Sequence, residues 1–289
     1  MIYFWLVLQQ TIASMTHIIG QDAAHAVSPF VLLLFRASIA GVALYLFVAI
    51  KDKTWNIFEG ITKADLGRLV IVGGLNILIN QLLYLEGLQF TTPANSALLY
   101  ALTPAMVFIF AIRAHWERTN WKKIAGIAVA FIGTAILMFE RGASLASEHT
   151  RGNILIFIAV CAWSLFTLLG RPLIKKYGAL RVTAQHMVIG ALLYLPIGLF
   201  HLDEASVSSF SPVIWEEILY LGIVASCINY ALWYYALGKL DTSKVAIFQN
   251  LQPVITTILA ISLGRTEPTI ELLGGGVLAL AGILMVEYG

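Results

Sequence analysis

The sequence predicts an all-α integral membrane protein with ten transmembrane helices, and three observations predict this fold class. Of the 289 residues, 59% are hydrophobic and only 12% are charged, whereas soluble domains carry about 25% charged residues. Apolar stretches of about 20 residues, long enough to cross a bilayer as a helix, follow one another along the chain. These stretches lack the alternation of apolar and polar residues that membrane β-barrel strands show. An ordinary soluble enzyme is therefore excluded. A nucleic-acid binder is excluded as well, because the net charge is only +2 and no basic surface is present.

The predicted spans are joined by short loops. They cover residues 2–21, 28–50, 69–90, 93–113, 121–139, 153–172, 182–200, 214–237, 243–263 and 270–288. The longest loops, 51–68 and 201–213, carry charged and turn-forming residues. Because the spans use most of the chain, no room is left for the nucleotide-binding domain of an ATP-driven pump.

The distribution of Lys and Arg predicts the orientation. Fourteen of them lie in the loops after the second, fourth, sixth and eighth spans or at the span ends that border these loops, and the opposite side holds only Arg141, Arg151 and Arg265. Cytoplasmic loops are enriched in Lys and Arg. We therefore expect a multi-pass protein of the cell inner membrane with both termini in the cytoplasm.

The second half of the chain repeats features of the first. At a displacement of 149 residues Gly73 falls on Gly222, Asn80 on Asn229 and Pro104 on Pro253, and at 150 residues Glu117 falls on Glu267 and Gly126 on Gly276. Each half holds five spans, and an odd number makes the second half enter the membrane in the opposite direction. We predict two inverted five-helix repeats, residues 1–141 and 152–289. Secondary transporters with this plan bind substrate between the halves.

Short motifs occur in both halves of the chain. They are Arg36, Ala101-Leu102-Thr103-Pro104, Trp116-Glu117-Arg118, Trp163, the run from Ala231 to Leu237, and Leu251-Gln252-Pro253 with Glu267 downstream. With these motifs nearly the whole chain resembles the drug/metabolite transporter superfamily, in its ten-helix EamA-type branch. The resemblance implies a single-chain exporter or exchanger of metabolites that works by alternating access. We expect it to function as a monomer without a cofactor. One departure is the first span, where members of the family carry a Trp-Gly step and this chain has Gln9 to Ser14.

Polar residues form stripes on the first, third, fourth, sixth, eighth and ninth spans. The residues that we expect to bind substrate are Gln10, Ser14, His17, Asn80, Tyr84, Tyr100, Trp163, Asn229, Trp233, Gln249 and Asn250. Polar side chains are costly in a bilayer and mark substrate pathways. Hydrogen bonding between helices, worth about 0.6 kcal/mol for each bond, is the alternative explanation. It would place such residues on all ten spans, but the second, fifth and tenth carry almost none on their inner turns.

The type of side chain in these stripes indicates the substrate. Aromatic rings at mid-span together with amides suit a neutral or zwitterionic solute with an apolar body. An amino acid, aromatic or otherwise apolar, is therefore the leading hypothesis. A phosphorylated substrate is disfavoured because the polar stripes contain no Lys or Arg. A flippase or exporter of lipid-like or drug-like amphiphiles and a channel remain as alternatives.

Charged and titratable residues are rare within the spans. Arg36 lies about eight residues into the second span, where its insertion costs about 2.5–3.5 kcal/mol. We expect it to pair with backbone carbonyls or a loop acid, with binding of a substrate carboxylate as the alternative. His17 and Glu86 are the candidate proton sites, and His186 is expected at the membrane interface.

Two prolines and several glycines are expected to shape the helices. Pro104 and Pro253 are predicted to lie within spans, either as kinks tolerated by packing or as paired hinges of the transport cycle. Gly126 and Gly133 in the fifth span, and the glycines of the tenth, indicate close helix packing.

An enzyme is not predicted. The spans contain no paired Asp residues for an intramembrane protease and no cluster of metal ligands. The sequence therefore predicts a transporter.

Overall fold

All regular secondary structure in the described part of the chain is helical. The structure, a computed structural model, describes residues 1–118, 120–140, 142–144, 146–204, 207–262 and 269–288. Nine helices in these ranges are long and apolar enough to cross a membrane. They are α1 (Ile2–Ala26), α2 (Pro29–Lys51), α3 (Lys63–Leu88), α4 (Pro93–Arg113), α5 (Trp121–Glu140), α6 (Ser147–Tyr177), α7 (Ala179–Phe200), α8 (Pro212–Leu237) and α10 (Ile270–Tyr288). The predicted all-α membrane class is confirmed.

The remaining predicted span is a segmented helix. Three consecutive segments, Thr242–Ala246, the 3-10 helix Ile247–Asn250 and Leu251–Ser262, follow one another, and we call them together α9. Short 3-10 turns at Leu202–Glu204 and Val207–Ser209 connect α7 to α8. Two residues that support the predicted repeat and orientation, Glu267 and Arg265, lie outside the described residues, as does Arg141.

Two of the long helices contain wide turns. Leu75–Gln81 in α3 and Tyr220–Ile228 in α8 are π-helical, so each turn there holds about one residue more than an α-helix. Displaced by 149 residues, the first of these segments falls on 224–230, which overlaps the second. The two wide turns therefore occupy corresponding places in the two halves of the chain.

The chain is also interrupted just before each of the two predicted kink prolines. A turn at Ala101 and Leu102 divides α4 into two helices, and Pro104 is the second residue of the later one, Thr103–Arg113. Proline is well tolerated there because its missing N–H would have no partner in the first helical turn. Pro253 is likewise near the start of a helical segment, because Leu251–Ser262 begins directly after the 3-10 segment of α9.

Glycines bring α5 and α10 into backbone contact, as expected. A Cβ atom added at Gly133 would lie 2.3 Å from the Ala279 nitrogen, and one at Gly126 would lie 3.0 Å from the Gly282 carbonyl oxygen. Gly274, on the same helix as Gly282, faces open space instead.

His186 was expected at the membrane interface, and the structure corrects this. The side chain is completely buried. Its ring lies 5.1 Å from Phe166 and 5.0 Å from Tyr234, measured between centroids. Rings from α6 and α8 enclose it, and the Asn76 amide of α3 lies 3.5 Å from its Nδ1, which the position near a helix start does not reveal.

Ion pairs join the helices at one end of the bundle. They are Glu117 with Lys123 at 3.0 Å, Arg171 with Asp241 at 2.9 Å and Lys176 with Asp65 at 2.5 Å. Glu117 also accepts hydrogen bonds from the hydroxyl and the backbone N–H of Ser243, at 2.6 and 3.1 Å. It thereby links the loop after α4 to the start of α9.

Neutral hydrogen bonds join the opposite end. The Asn95 amide donates to Thr91 Oγ1 at 2.8 Å and to the Ser144 carbonyl oxygen at 2.9 Å. Thr91 in turn donates to Asn153 Oδ1 at 2.7 Å. The two ends are thus held by different chemistry.

The glycine contact between α5 and α10 can be tested by thermal stability. Gly133→Ala forces a methyl group against the Ala279 backbone, and overpacking of this kind costs about 1–3 kcal/mol. We expect a lower Tm for the purified protein in detergent. Gly274→Ala is the matched control, because its methyl group enters open space and alanine is the better helix former. Equal Tm values for the two variants would contradict the packing.

Candidate functional site

A polar and aromatic cavity lies in the centre of the helix bundle. Its empty volume is about 500 Å³, including the part that is open to the outside. Seven of the predicted site residues line it: His17, Asn80, Tyr84, Tyr100, Trp163, Asn229 and Gln249. Eight further residues line it that were not among the predicted ones: Gln9, Ala13, Thr16, Arg36, Gln81, Ala225, Tyr230 and Gln252.

The face of helix α1 that lines the central cavity differs slightly from the predicted one. Gln9, Ala13 and Thr16 face the cavity together with His17. Gln10 and Ser14 instead contact α9, where Ser14 Oγ donates to the Gln252 carbonyl oxygen at 3.2 Å. The recurrence of polar residues at positions 9 and 16, with the small Ala13 between them, is the signal that identifies the correct face.

The π-helical turns determine which residues of α3 and α8 face the cavity. On α3 the adjacent residues Asn80 and Gln81 both line it, and on α8 Asn229 and Tyr230 do. Neighbouring residues of a regular α-helix point about 100° apart, and a wide turn changes this register. A stripe spaced for an α-helix therefore misses Gln81.

A hydrogen-bond network crosses the cavity at His17. Gln252 Nε2 donates to Gln10 Oε1 and Gln249 Oε1, both at 2.7 Å. Its Oε1 can only accept, so His17 Nε2 donates to it at 3.0 Å. His17 Nδ1 then accepts from the Tyr84 hydroxyl at 3.0 Å. The network orients the imidazole in the wall of the cavity.

A second cavity lies on the other side of His17 and Gln252. Its empty volume is about 790 Å³, again counting its open part, and both residues line it as well as the central cavity. The remaining lining includes Thr92, Gly142 and Thr256, so it extends towards the end of the bundle where α4 begins and α5 ends. The His17–Gln252 hydrogen bond thus separates two neighbouring cavities.

A cluster of aromatic rings around Trp163 forms one wall of the central cavity. The Trp163 ring lies 5.1 Å from Phe166, 5.3 Å from Tyr230 and 5.4 Å from Trp233, between centroids. Trp233 does not line the cavity and donates to Thr167 Oγ1 at 3.2 Å. It supports Trp163 from behind.

Arg36 reaches the central cavity from α2, a span that was expected to be scaffold. The side chain is 3% exposed, and Nε donates to Ser226 Oγ at 2.9 Å. The expected backbone carbonyl or loop acid is not its partner: among the described residues no carboxylate lies within 4.0 Å of it. The sequence feature that indicates the place of Arg36 at the cavity is its distance from the ends of its span, and not the polarity of that span.

Two other predicted residues lie away from the central cavity. Asn250 is completely buried and accepts from the Thr134 hydroxyl at 3.1 Å, which ties α9 to α5. Glu86 is half-buried and lines neither of the two cavities. Of the two candidate proton sites, only His17 is in contact with the cavity.

Comparisons with known proteins agree with this architecture. The family model described as "EamA-like transporter family" matches residues 1–139 and again residues 150–288. A solved crystal structure matches 99% of this chain and 95% of its own with a TM-score of 0.79, at 21% identity, which shows a shared fold.

Two of three curated relatives that match the chain are transporters by name. The "Uncharacterized transporter YyaM" of Bacillus subtilis is 28% identical over 79% of this chain and 78% of its own. The "Probable terminal-alkyne amino-acid exporter" of Streptantibioticus cattleyicolor is 27% identical over 77% of this chain and 73% of its own. "Protein WALLS ARE THIN 1" of Arabidopsis thaliana is 27% identical over 94% and 79%.

The family match covers nearly the whole chain, and the apolar helices fit a multi-pass membrane protein. Both findings confirm the resemblance seen in the sequence motifs. The chain belongs to the EamA-like transporter family.

Proposed function

We propose that this protein is a secondary transporter of small metabolites, most of all amino acids with apolar side chains, in the inner membrane. The central cavity carries the proposal, because amide, hydroxyl and aromatic groups from six helices converge there with the Arg36 guanidinium from a seventh. Such a lining holds a solute that has a polar head and an apolar body. The similarity to a protein named as an amino-acid exporter supports the same substrate class, and export or exchange is the proposed direction.

We propose an architecture of ten membrane helices in two inverted five-helix repeats, residues 1–141 and 152–289. The two matched ranges of the family model support this division. So do the π-helical segments in α3 and α8, and the interruptions before Pro104 and Pro253, which occupy corresponding places. The ion-paired end of the bundle holds many of the Lys and Arg residues, which supports cytoplasmic termini.

Alternating access is the proposed mechanism, with a barrier on each side of the central cavity. The His17–Gln252 hydrogen bond forms the barrier towards the second cavity, which faces outward in the proposed orientation. Ion pairs such as Glu117–Lys123 close the cytoplasmic end. The interruptions before Pro104 and Pro253 supply the hinges. Because one chain supplies the whole cavity, we propose that the monomer is functional.

His17 is the proposed site for any proton coupling. It contacts the cavity, whereas Glu86 does not. A proton on Nδ1 would reverse the hydrogen bond with Tyr84, whose hydroxyl would then accept from the ring, so protonation would rearrange the network in the cavity wall. No such rearrangement follows from a proton on Glu86.

Counterflow in proteoliposomes tests the transport function. Vesicles loaded with an unlabelled aromatic or aliphatic amino acid are expected to accelerate saturable uptake of the labelled compound. A channel conducts without this trans-stimulation, and a flippase moves labelled lipid instead. If no amino acid gives a saturable signal, the amino-acid proposal is wrong. A pH gradient imposed in the same assay changes the rate only if transport is coupled to protons, and His17→Ala removes that change if His17 is the coupling site.

Removing the Trp163 ring is expected to weaken substrate binding. Trp163→Ala takes away the aromatic wall, and an aromatic contact contributes about 0.5–1.5 kcal/mol beyond the area that it buries. We expect KM to rise about tenfold, with an intermediate value for Trp163→Phe. Trp215→Ala, at an exposed position outside both cavities, is the control. A lower Tm with unchanged KM would mean that Trp163 only packs.

The barrier at His17 can be tested by cysteine labelling. In a background with Cys161 and Cys227 replaced by alanine, a Gln9→Cys thiol faces the central cavity. We expect Gln252→Ala to increase its labelling by an impermeant outside reagent about fivefold, since one hydrogen bond contributes about 1 kcal/mol. A Thr256→Cys thiol in the second cavity should label equally in both backgrounds. Equal labelling of the Gln9→Cys thiol with and without Gln252→Ala would rule out this barrier.

A further inference from the structure

Five of the buried polar atoms that have no hydrogen-bond partner among the described residues belong to side chains that line the central cavity. They are Arg36 Nη1, Trp163 Nε1, Gln9 Oε1, Gln81 Oε1 and Asn229 Oδ1. Every one of these side chains is at least 93% buried. Buried polar groups in folded proteins are nearly always paired, so five unpaired atoms around one cavity indicate a site for a polar ligand.

The two donors point to an anionic group on that ligand. Arg36 is held in place by the bond from Nε to Ser226 at 2.9 Å, which leaves Nη1 directed to other partners. The lining of the cavity contains neither Asp nor Glu. The guanidinium is therefore a buried cation without a counter-charge in the described part of the chain, and a carboxylate is the group that it binds best.

The three acceptors point to a group with several N–H donors. Gln9, Gln81 and Asn229 come from α1, α3 and α8, so their oxygens approach the cavity from different directions. Gln81 is oriented by its own amide nitrogen, which donates to Asn76 Oδ1 at 3.3 Å. An ammonium group has three donors and no acceptor, which matches three amide oxygens.

A ligand that carries both an anionic group and an ammonium group also balances the charge of the cavity. A free amine would add a second cation beside Arg36, while a simple carboxylic acid would leave the amide oxygens unpaired. A zwitterion brings one anionic and one cationic group and no net charge. A lipid-like amphiphile with an uncharged head would leave Arg36 unneutralised.

We propose that the central cavity recognises the zwitterionic head of an α-amino acid, with Arg36 as the specificity-determining residue. The carboxylate binds Arg36 Nη1 with support from Trp163 Nε1. The α-ammonium group binds the amide oxygens of Gln9, Gln81 and Asn229. This proposal rests on the proposed amino-acid transport and identifies the groups that select the substrate.

Binding to purified protein in detergent tests the assignment without requiring transport. The probes are an amino acid that the wild-type protein transports, the amine formed by its decarboxylation, and the carboxylic acid that lacks its amino group. Affinities come from quenching of tryptophan fluorescence. We expect the wild-type protein to bind the amino acid about 30-fold or more tightly than the amine, the factor that loss of one partner of a buried charge pair carries.

Variants separate a recognition role from a structural one. In Arg36→Gln the preference for amino acid over amine should fall to near unity while the affinity for the amine is retained. In Arg36→Lys the preference should persist, because the cation remains. Asn229→Leu should weaken binding of the amino acid and the amine but spare the acid. Arg118→Gln, at an exposed position, is the matched control and should change nothing.

The outcomes distinguish this proposal from the function on which it rests. If the wild-type protein neither transports nor binds any amino acid, the proposed function fails and this assignment fails with it. If the wild-type protein binds amino acids and folded Arg36→Gln keeps the full preference, only the assignment to Arg36 is wrong. If Arg36→Gln does not fold, the other two variants decide. An Arg36→Lys variant that no longer prefers the amino acid over the amine overturns the role of the cation. An Asn229→Leu variant that weakens binding of the amino acid, the amine and the acid alike overturns the ammonium site.

Discussion

Polar groups inside the bilayer must find their partners within the protein, because hydrocarbon supplies neither hydrogen bonds nor counter-ions. The backbone meets this constraint by forming helices in every described span. The side chains meet it through networks such as the one in which His17 donates to Gln252 and accepts from Tyr84. Several of the exceptions belong to residues that line the central cavity, among them Arg36 and three amide oxygens. The same constraint that stabilises the bundle therefore supports the proposal that a ligand binds there.

The two ends of the bundle respond differently to that constraint, and the difference bears on the transport cycle. Ion pairs hold the end where Glu117 meets Lys123, while amide and hydroxyl hydrogen bonds hold the end where Asn95 meets Thr91. Between the ends, a single hydrogen bond from His17 separates the central cavity from the second one. The wide turns and helix interruptions lie beside this region and not at the lipid-facing scaffold. Deviations from regular helix thus occur where the proposed mechanism requires the backbone to move, as is common at functional sites.

Much of the site followed from the pattern of polar residues. The polar stripes on α3, α4, α6 and α8 predicted that Asn80, Tyr100, Trp163 and Asn229 line the cavity. Polar side chains within a span are costly against lipid and therefore face the interior of the protein. The predicted stripe on α3 does not include Gln81, because a π-helical turn alters the register that an α-helical stripe assumes. Arg36 was assigned to scaffold because its own helix is otherwise apolar, although a residue also takes its surroundings from neighbouring helices. Periodicity describes one helix at a time and cannot show what the next helix places opposite it.

The sequence by itself determined the membrane class, the helical spans and the family, because apolar length, charge distribution and short motifs are local properties of the chain. Only the tertiary structure decided which polar atoms remain unpaired, because pairing depends on groups brought together from distant segments. Ser226 lies 190 residues from Arg36 and occupies Nε, whereas Nη1 has no partner among the described residues. Gln252 lies 235 residues from His17 and accepts the hydrogen bond that lies between the two cavities. Composition indicates a largely uncharged pathway, and three-dimensional packing alone places one buried cation, Arg36, in the lining of the central cavity.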